Sequence, residues 1–132
     1  MANTDRSSEH AEDKVKTILV VDDDPGVGEF LVDALKMEEL YRPLLATDGI
    51  EALELVKTLV PSLFVLDYQL PGMNGLELAE RLHASEELKQ IPVLLMSANI
   101  PKRELEQRQI TSIDKPFELD ELLDVIAKLV VE

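Results

Sequence analysis

Short, uninterrupted apolar runs alternate along this chain with longer segments whose apolar residues recur at helical spacing. The runs fall at residues 17–21, 44–46, 63–66 and 92–96, and a weaker fifth strand is predicted at 110–113, where Thr111 and Ser112 interrupt the apolar pattern. Runs of this length, bounded by turn residues, predict strands buried on both faces. Pro25 is placed to open a helix whose stripe is Phe30, Leu31, Ala34 and Leu35. Asp48 stands as an N-cap ahead of Ile50, Leu53, Val56 and Leu59 or Val60. Pro71, Gly72, Met73, Asn74 and Gly75 make a turn, followed by a helix that buries Leu76, Leu78, Ala79 and Leu82. Residues 101–107 predict a short, very polar helix, with Ile100 and Leu105 as its only anchors. Pro116 breaks the chain, and residues 117–131 form a last helix turning Leu119, Leu122, Leu123, Ile126 and Leu129 or Val130 inward.

Strands alternating with helices imply βαβ units and a parallel sheet, with right-handed crossovers placing helices on both faces. Five strands and five helices fit an α/β, flavodoxin-like, doubly wound domain with strand order 2-1-3-4-5. Residues 16–132 form that one domain, and residues 1–15, polar and without periodicity, form a flexible tail.

Two of the apolar runs end in acid. Asp22, Asp23 and Asp24 follow the first, and Asp67 follows the third. In a parallel sheet these ends share one edge, where open α/β folds place their chemistry. Carboxylates gathered there repel one another unless a positive charge sits among them. A hard divalent cation is the economical candidate, and Mg²⁺ favours a few carboxylates with water and phosphate oxygens. Asp24, directly before Pro25, is also suited to capping the helix.

Composition narrows the setting. The chain has 132 residues and no cysteine, so neither disulfides nor thiolate metal sites enter. Its 27 acidic against 13 basic side chains give a net charge of −14, which argues against direct nucleic-acid binding. No apolar run reaches the ~20 residues of a membrane helix, and the first residues contain no signal-peptide core. The expectation is a cytoplasmic protein without membrane contact. His10 and His83 have no metal-ligand company and are expected at the surface.

The quoted motifs, together with Met96-Ser97-Ala98 and Asp114-Lys115-Pro116-Phe117, resemble the response-regulator receiver domain of two-component signalling, in its chemotaxis-type single-domain form. Ala46-Thr47-Asp48-Gly49 adds to the likeness. The resemblance implies a phosphorylation-controlled module rather than an enzyme. Asp67 matches the phospho-acceptor. The implied donor is a histidine kinase or a phosphotransfer protein, and the implied output is altered binding of an unidentified effector protein. Asp22, Asp23, Asp67 and the backbone carbonyl of Gln69 match the ligands of Mg²⁺, with Mn²⁺ as an alternative. Ser97 and Lys115 match the groups that bind the phosphoryl oxygens. Gln69, Ala98 and Asn99 match positions that tune the lifetime of the phosphoryl group, and Pro116 matches one that often follows a cis peptide bond.

The pattern departs from the family in two places. Ser112 stands three residues before Lys115, where the family carries a switching aromatic, and the segment between Ser97 and Lys115 is short, so its helix is expected to be truncated or irregular. These departures keep open a pseudo-receiver that binds partners without phosphorylation. A haloacid-dehalogenase-type phosphohydrolase using Asp22 and Asp24 is a third reading. It gives Asp67 no role.

Overall fold

The structure of the protein is a computed structural model that describes residues 15–98, 103, 105, 106 and 110–130. Residues 1–14 of the predicted tail, with His10, and Asn99 and Ile100 lie outside the described residues. The elements are β1 (Lys16–Val21), α1 (Pro25–Lys36), β2 (Tyr41–Ala46), α2 (Gly49–Leu55), β3 (Leu63–Asp67), α3 (Gly75–His83), β4 (Val93–Ser97), β5 (Thr111–Asp114) and α4 (Leu119–Leu129). All strand pairs are parallel and the sheet order is β2-β1-β3-β4-β5. This is the predicted flavodoxin-like fold. Of the predicted helix between β4 and β5, Arg103, Leu105 and Glu106 are helical and Leu105 is buried.

The two-residue period of the strands divides the core into two layers. Leu19, Val21, Phe64, Leu66 and Leu95 face α2 and α3, whereas Ile18, Val20, Val65, Leu94 and Met96 face α1 and α4. β1, β3 and β4 are flanked on both sides, and every residue of β3 and β4 is buried. That is why they read as continuous apolar runs rather than alternating ones. Among the described residues no helix is long and apolar enough to cross a membrane.

Several local expectations are corrected. β2 begins at Tyr41 rather than at residue 44, because β1 pairs along its whole length, from Lys16↔Tyr41 to Val21↔Ala46. Pro43 is accommodated because β2 is an edge strand. Phe30, expected inward, is 54 % exposed. The buried face of α1 is Gly28, Leu31 and Leu35, and a Cβ on Gly28 would meet Leu45 Cδ1 at 2.8 Å. The helix thus seats on its glycine and turns Phe30 out. α2 behaves alike: it buries Gly49 and Ala52 and leaves Ile50 61 % exposed; it ends at Leu55, so Leu59, half-buried, and Val60, exposed, lie beyond it. β5 starts at Thr111 instead of Ile110. His83 is half-buried rather than at the surface, and its Nε2 donates to the Ile91 carbonyl oxygen at 2.8 Å.

Candidate functional site: an acidic pocket at the carboxyl edge of the sheet

β1 and β3 are neighbours in the sheet, so their carboxyl ends deliver Asp22, Asp23 and Asp67 to one place. One oxygen from each of the three lies within 4.8 Å of the others. β4 and β5 extend the same edge. Ser97 ends β4, and the Lys115 N–H donates to the Ser97 carbonyl oxygen at 2.9 Å, which carries Lys115 beside β4. Its Nζ then reaches back to Asp67 Oδ1 at 3.1 Å. The Gln69 N–H approaches the same oxygen at 3.4 Å. A cleft of about 110 Å³ is lined by Asp67, Tyr68, Gln69, Ser97, Ala98 and Lys115. The Lys115–Pro116 peptide bond is cis.

The electrostatics of the pocket turn on Asp22. It is fully buried. Its Oδ1 accepts from the Asp24 N–H at 2.9 Å, while its Oδ2 is buried without a hydrogen-bond partner. Burial raises its pKa above the ordinary carboxylate value, and the charges of Asp67 and Asp23 push the same way. The Asp24 N–H and Lys115 oppose them. A buried carboxylate oxygen with no donor is costly, and within reach of two more carboxylates it marks a position that suits a cation. The donor set is all oxygen, as Mg²⁺ requires.

Asp24 does something else. Its Oδ1 accepts from the Gly26 and Val27 N–H groups at 2.9 and 3.3 Å, capping α1. This takes up the carboxylate that the phosphohydrolase reading needs as its acid.

The loop from β3 to α3 carries features that the apolar pattern does not show. Asn74 and Glu77 form a reciprocal capping box at the start of α3, and the Asn-x-x-Glu spacing is its signal. The Gly75 N–H donates to the Tyr68 carbonyl oxygen at 2.7 Å. A Cβ on Gly75 would collide with the Asp67 carbonyl oxygen and stand 2.8 Å from Leu95 Cδ1. Gly75→Ala must therefore displace either α3 or the backbone of Asp67. We expect it to destabilise the fold by about 1–3 kcal/mol, measured as a lower urea midpoint at unchanged m-value.

Comparison with known proteins decides the family. The sequence profile of the response regulator receiver domain matches residues 18–127. The chain belongs to the response-regulator receiver-domain family. As a receiver domain it is 33 % identical over 115 residues to sporulation initiation phosphotransferase F of Bacillus subtilis, covering 84 % of this chain and 90 % of that protein. It is 32 % identical to hybrid signal transduction histidine kinase D of Dictyostelium discoideum, covering 85 % of this chain but 7 % of that much longer protein. Several other relatives are matched over about half their length. Among solved structures, the receiver domain of sensor histidine kinase PA1611 from Pseudomonas aeruginosa superposes with a TM-score of 0.75 at 26 % identity, covering 88 % of this chain and 98 % of that one. That structure holds a magnesium ion coordinated in its active site cleft.

Position 112, where the resemblance implies an aromatic, carries a serine. Ser112 is half-buried and lies opposite Leu95 in the β4–β5 ladder. Leu105 and Ile110 fill the core on that side, and no ring is contributed from position 112.

Proposed function

We propose that this receiver domain accepts a phosphoryl group on Asp67 from a histidine kinase or a phosphotransfer protein, in the presence of Mg²⁺, and that the phosphorylated form changes its binding to a downstream effector protein. The observation that carries this reading is the Lys115 ammonium 3.1 Å from Asp67 Oδ1, next to a buried Asp22 oxygen with no donor.

The chemistry follows from charge. A carboxylate attacks phosphorus poorly while the phosphoryl oxygens repel it. Asp22, Asp23, Asp67 and the Gln69 carbonyl would hold the cation, which when bound offsets negative charge on both partners. Lys115 holds the Asp67 side chain in place and presents a fixed positive charge to an incoming phosphoryl oxygen. Ser97, which also lines the cleft, would donate its hydroxyl to a phosphoryl oxygen. One Asp67 oxygen forms the new P–O bond as the P–N bond of a phosphohistidine, or the P–O bond of acetyl phosphate, breaks. The leaving group departs with the bonding electron pair, and an imidazole leaving group takes up a proton. Asp67 becomes an acyl phosphate, with added negative charge and strong acceptor oxygens for Lys115 and Ser97.

Incubation with acetyl phosphate and Mg²⁺, followed by intact-mass measurement, tests this reading. The expected result is a gain of one phosphoryl group that disappears when EDTA replaces Mg²⁺. No gain at any Mg²⁺ concentration would leave a binding module that works without phosphorylation, as the missing aromatic at Ser112 would then suggest.

The lifetime of the acyl phosphate depends on access by water. Ala98 is small and exposed, so it leaves the cleft open. Gln69 stands at its mouth, and Asn99 follows Ala98 in sequence. Exchanging Gln69 or Asn99 is expected to change the dephosphorylation rate without abolishing uptake, as read by loss of radiolabelled phosphate. Unchanged rates in both variants would remove these residues from the tuning role.

A further inference from the structure

Gln69 would contribute a backbone carbonyl to the metal, and a carbonyl has no rotamer of its own. Its position is set by the loop that carries it, residues 68–74, together with the Tyr68 N–H bond to the Met96 carbonyl oxygen at 2.9 Å and the Gln69 N–H approach to Asp67 Oδ1 at 3.4 Å. That loop is tied at its base by the Gly75 N–H to Tyr68 carbonyl bond and reverses at Gly72, where φ is +84°. Tyr68 and Leu70 are partly buried against the core, and Met73 is the most buried side chain of the loop. Met73 is 9 % exposed and packs in the core beside Ala52 and Leu76. Its thioether lies over Gly49, the first residue of α2. A Cβ on Gly49 would stand 2.9 Å from Met73 Sδ and 3.0 Å from Cγ. The seat for Met73 exists because position 49 has no side chain.

We infer that Met73 is a positioning residue for the metal: seated over Gly49, it pins the loop against α2 and holds the Gln69 carbonyl at the acidic pocket. The inference rests on the reading of that pocket as a Mg²⁺ site. Without the anchor, the loop samples more conformations in the metal-free protein, and binding must supply the ordering. The loss then appears in Mg²⁺ affinity rather than in the chemistry of the loaded site.

Mg²⁺ titration calorimetry on the full chain tests it, with urea unfolding run beside it on each variant. Met73→Ala empties the seat, and Gly49→Val fills it from the other side. Met73→Leu restores an apolar side chain of similar volume. Leu35→Ala opens a cavity in the opposite core layer, to which Leu35 and Ile126 both belong. Met73→Ala and Gly49→Val are expected to weaken Mg²⁺ binding by about tenfold, the scale seen when a group that orients a metal ligand is lost. Met73→Leu and Leu35→Ala are expected to bind like the wild type. At saturating Mg²⁺ the rate of phosphoryl uptake from acetyl phosphate returns to the wild-type value, the signature of lost binding alone. Wild-type affinity in Met73→Ala overturns the inference. So does a loss in Leu35→Ala that tracks stability as closely as that in Met73→Ala. A wild-type protein that takes up no Mg²⁺ overturns the reading of the site and this inference with it.

Discussion

Asp67→Asn is expected to take up no phosphoryl group from acetyl phosphate at any Mg²⁺ concentration, while remaining folded. The amide keeps the shape of the side chain and removes its nucleophilic oxygen anion. Of the other two carboxylates grouped with it, Asp23 is exposed and would be engaged by the metal. Asp24 spends its carboxylate on the first turn of α1, and Asp22 is fully buried. Lys115→Ala is expected to slow uptake by about a hundredfold, the lower end of what a lost charge-stabilising donor removes, without abolishing it. Intact mass read at fixed times separates the two. Full uptake by Asp67→Asn would move the acceptor elsewhere, and wild-type rates in Lys115→Ala would reduce its contact with Asp67 to a structural one.

The second large effect lies in stability and in its dependence on metal and pH. Burial holds the Asp22 carboxyl above the ordinary carboxylate range in the folded state. As pH rises, the unfolded chain therefore loses this proton first. Over the window between the unfolded and folded values the folded state binds more protons, so stability falls with rising pH. Above the folded value the penalty is complete. Metal-free Asp22→Asn is thus expected to be more stable than metal-free wild type at neutral pH, by about 1–3 kcal/mol, the scale of an unsatisfied buried polar group. The difference should shrink as pH drops through that window. Mg²⁺ reverses the order. At a hundredfold excess over its dissociation constant it adds about 2.7 kcal/mol to any fold that holds it, and Asp22→Asn should gain little of this. Urea midpoints in EDTA and in Mg²⁺, for both proteins across pH, check the prediction. Equal midpoints for the wild type with and without Mg²⁺ would contradict it.

Much of the fold was legible because β1, β3 and β4 are buried on both faces and so appear as unbroken apolar runs. The acids that end the first and third runs were legible for the same reason: the boundary between apolar and charged residues coincides with the edge of the sheet. Parallel order then brings Asp22, Asp23 and Asp67 together and sets Lys115 against Asp67, although Lys115 stands 48 positions after Asp67 in the chain.

What escaped the pattern depends on close approach, which hydropathy does not encode. α1 and α2 seat on Gly28, Gly49 and Ala52, so the stripes read from bulky residues misplace Phe30 and Ile50. The exclusion of any side chain at Gly75 is visible only once the Asp67 carbonyl is in place. The bond from His83 to the Ile91 carbonyl joins the end of α3 to the approach to β4, and neither residue signals the other. The start of β2 at Tyr41 escaped it because Pro43 is tolerated only on an edge strand, and which strand is the edge is a property of the topology.

Chemical trapping of the phosphorylated residue tests the central assignment most directly. Borohydride delivers hydride to an acyl phosphate carbonyl, releases phosphate and leaves an alcohol. Treated after phosphorylation and digested, the protein should yield the β3 peptide with homoserine at position 67, and only when Mg²⁺ was present during phosphorylation. A reduced residue at any other aspartate, or phosphate that resists borohydride because it sits on a hydroxyl, would contradict the assignment.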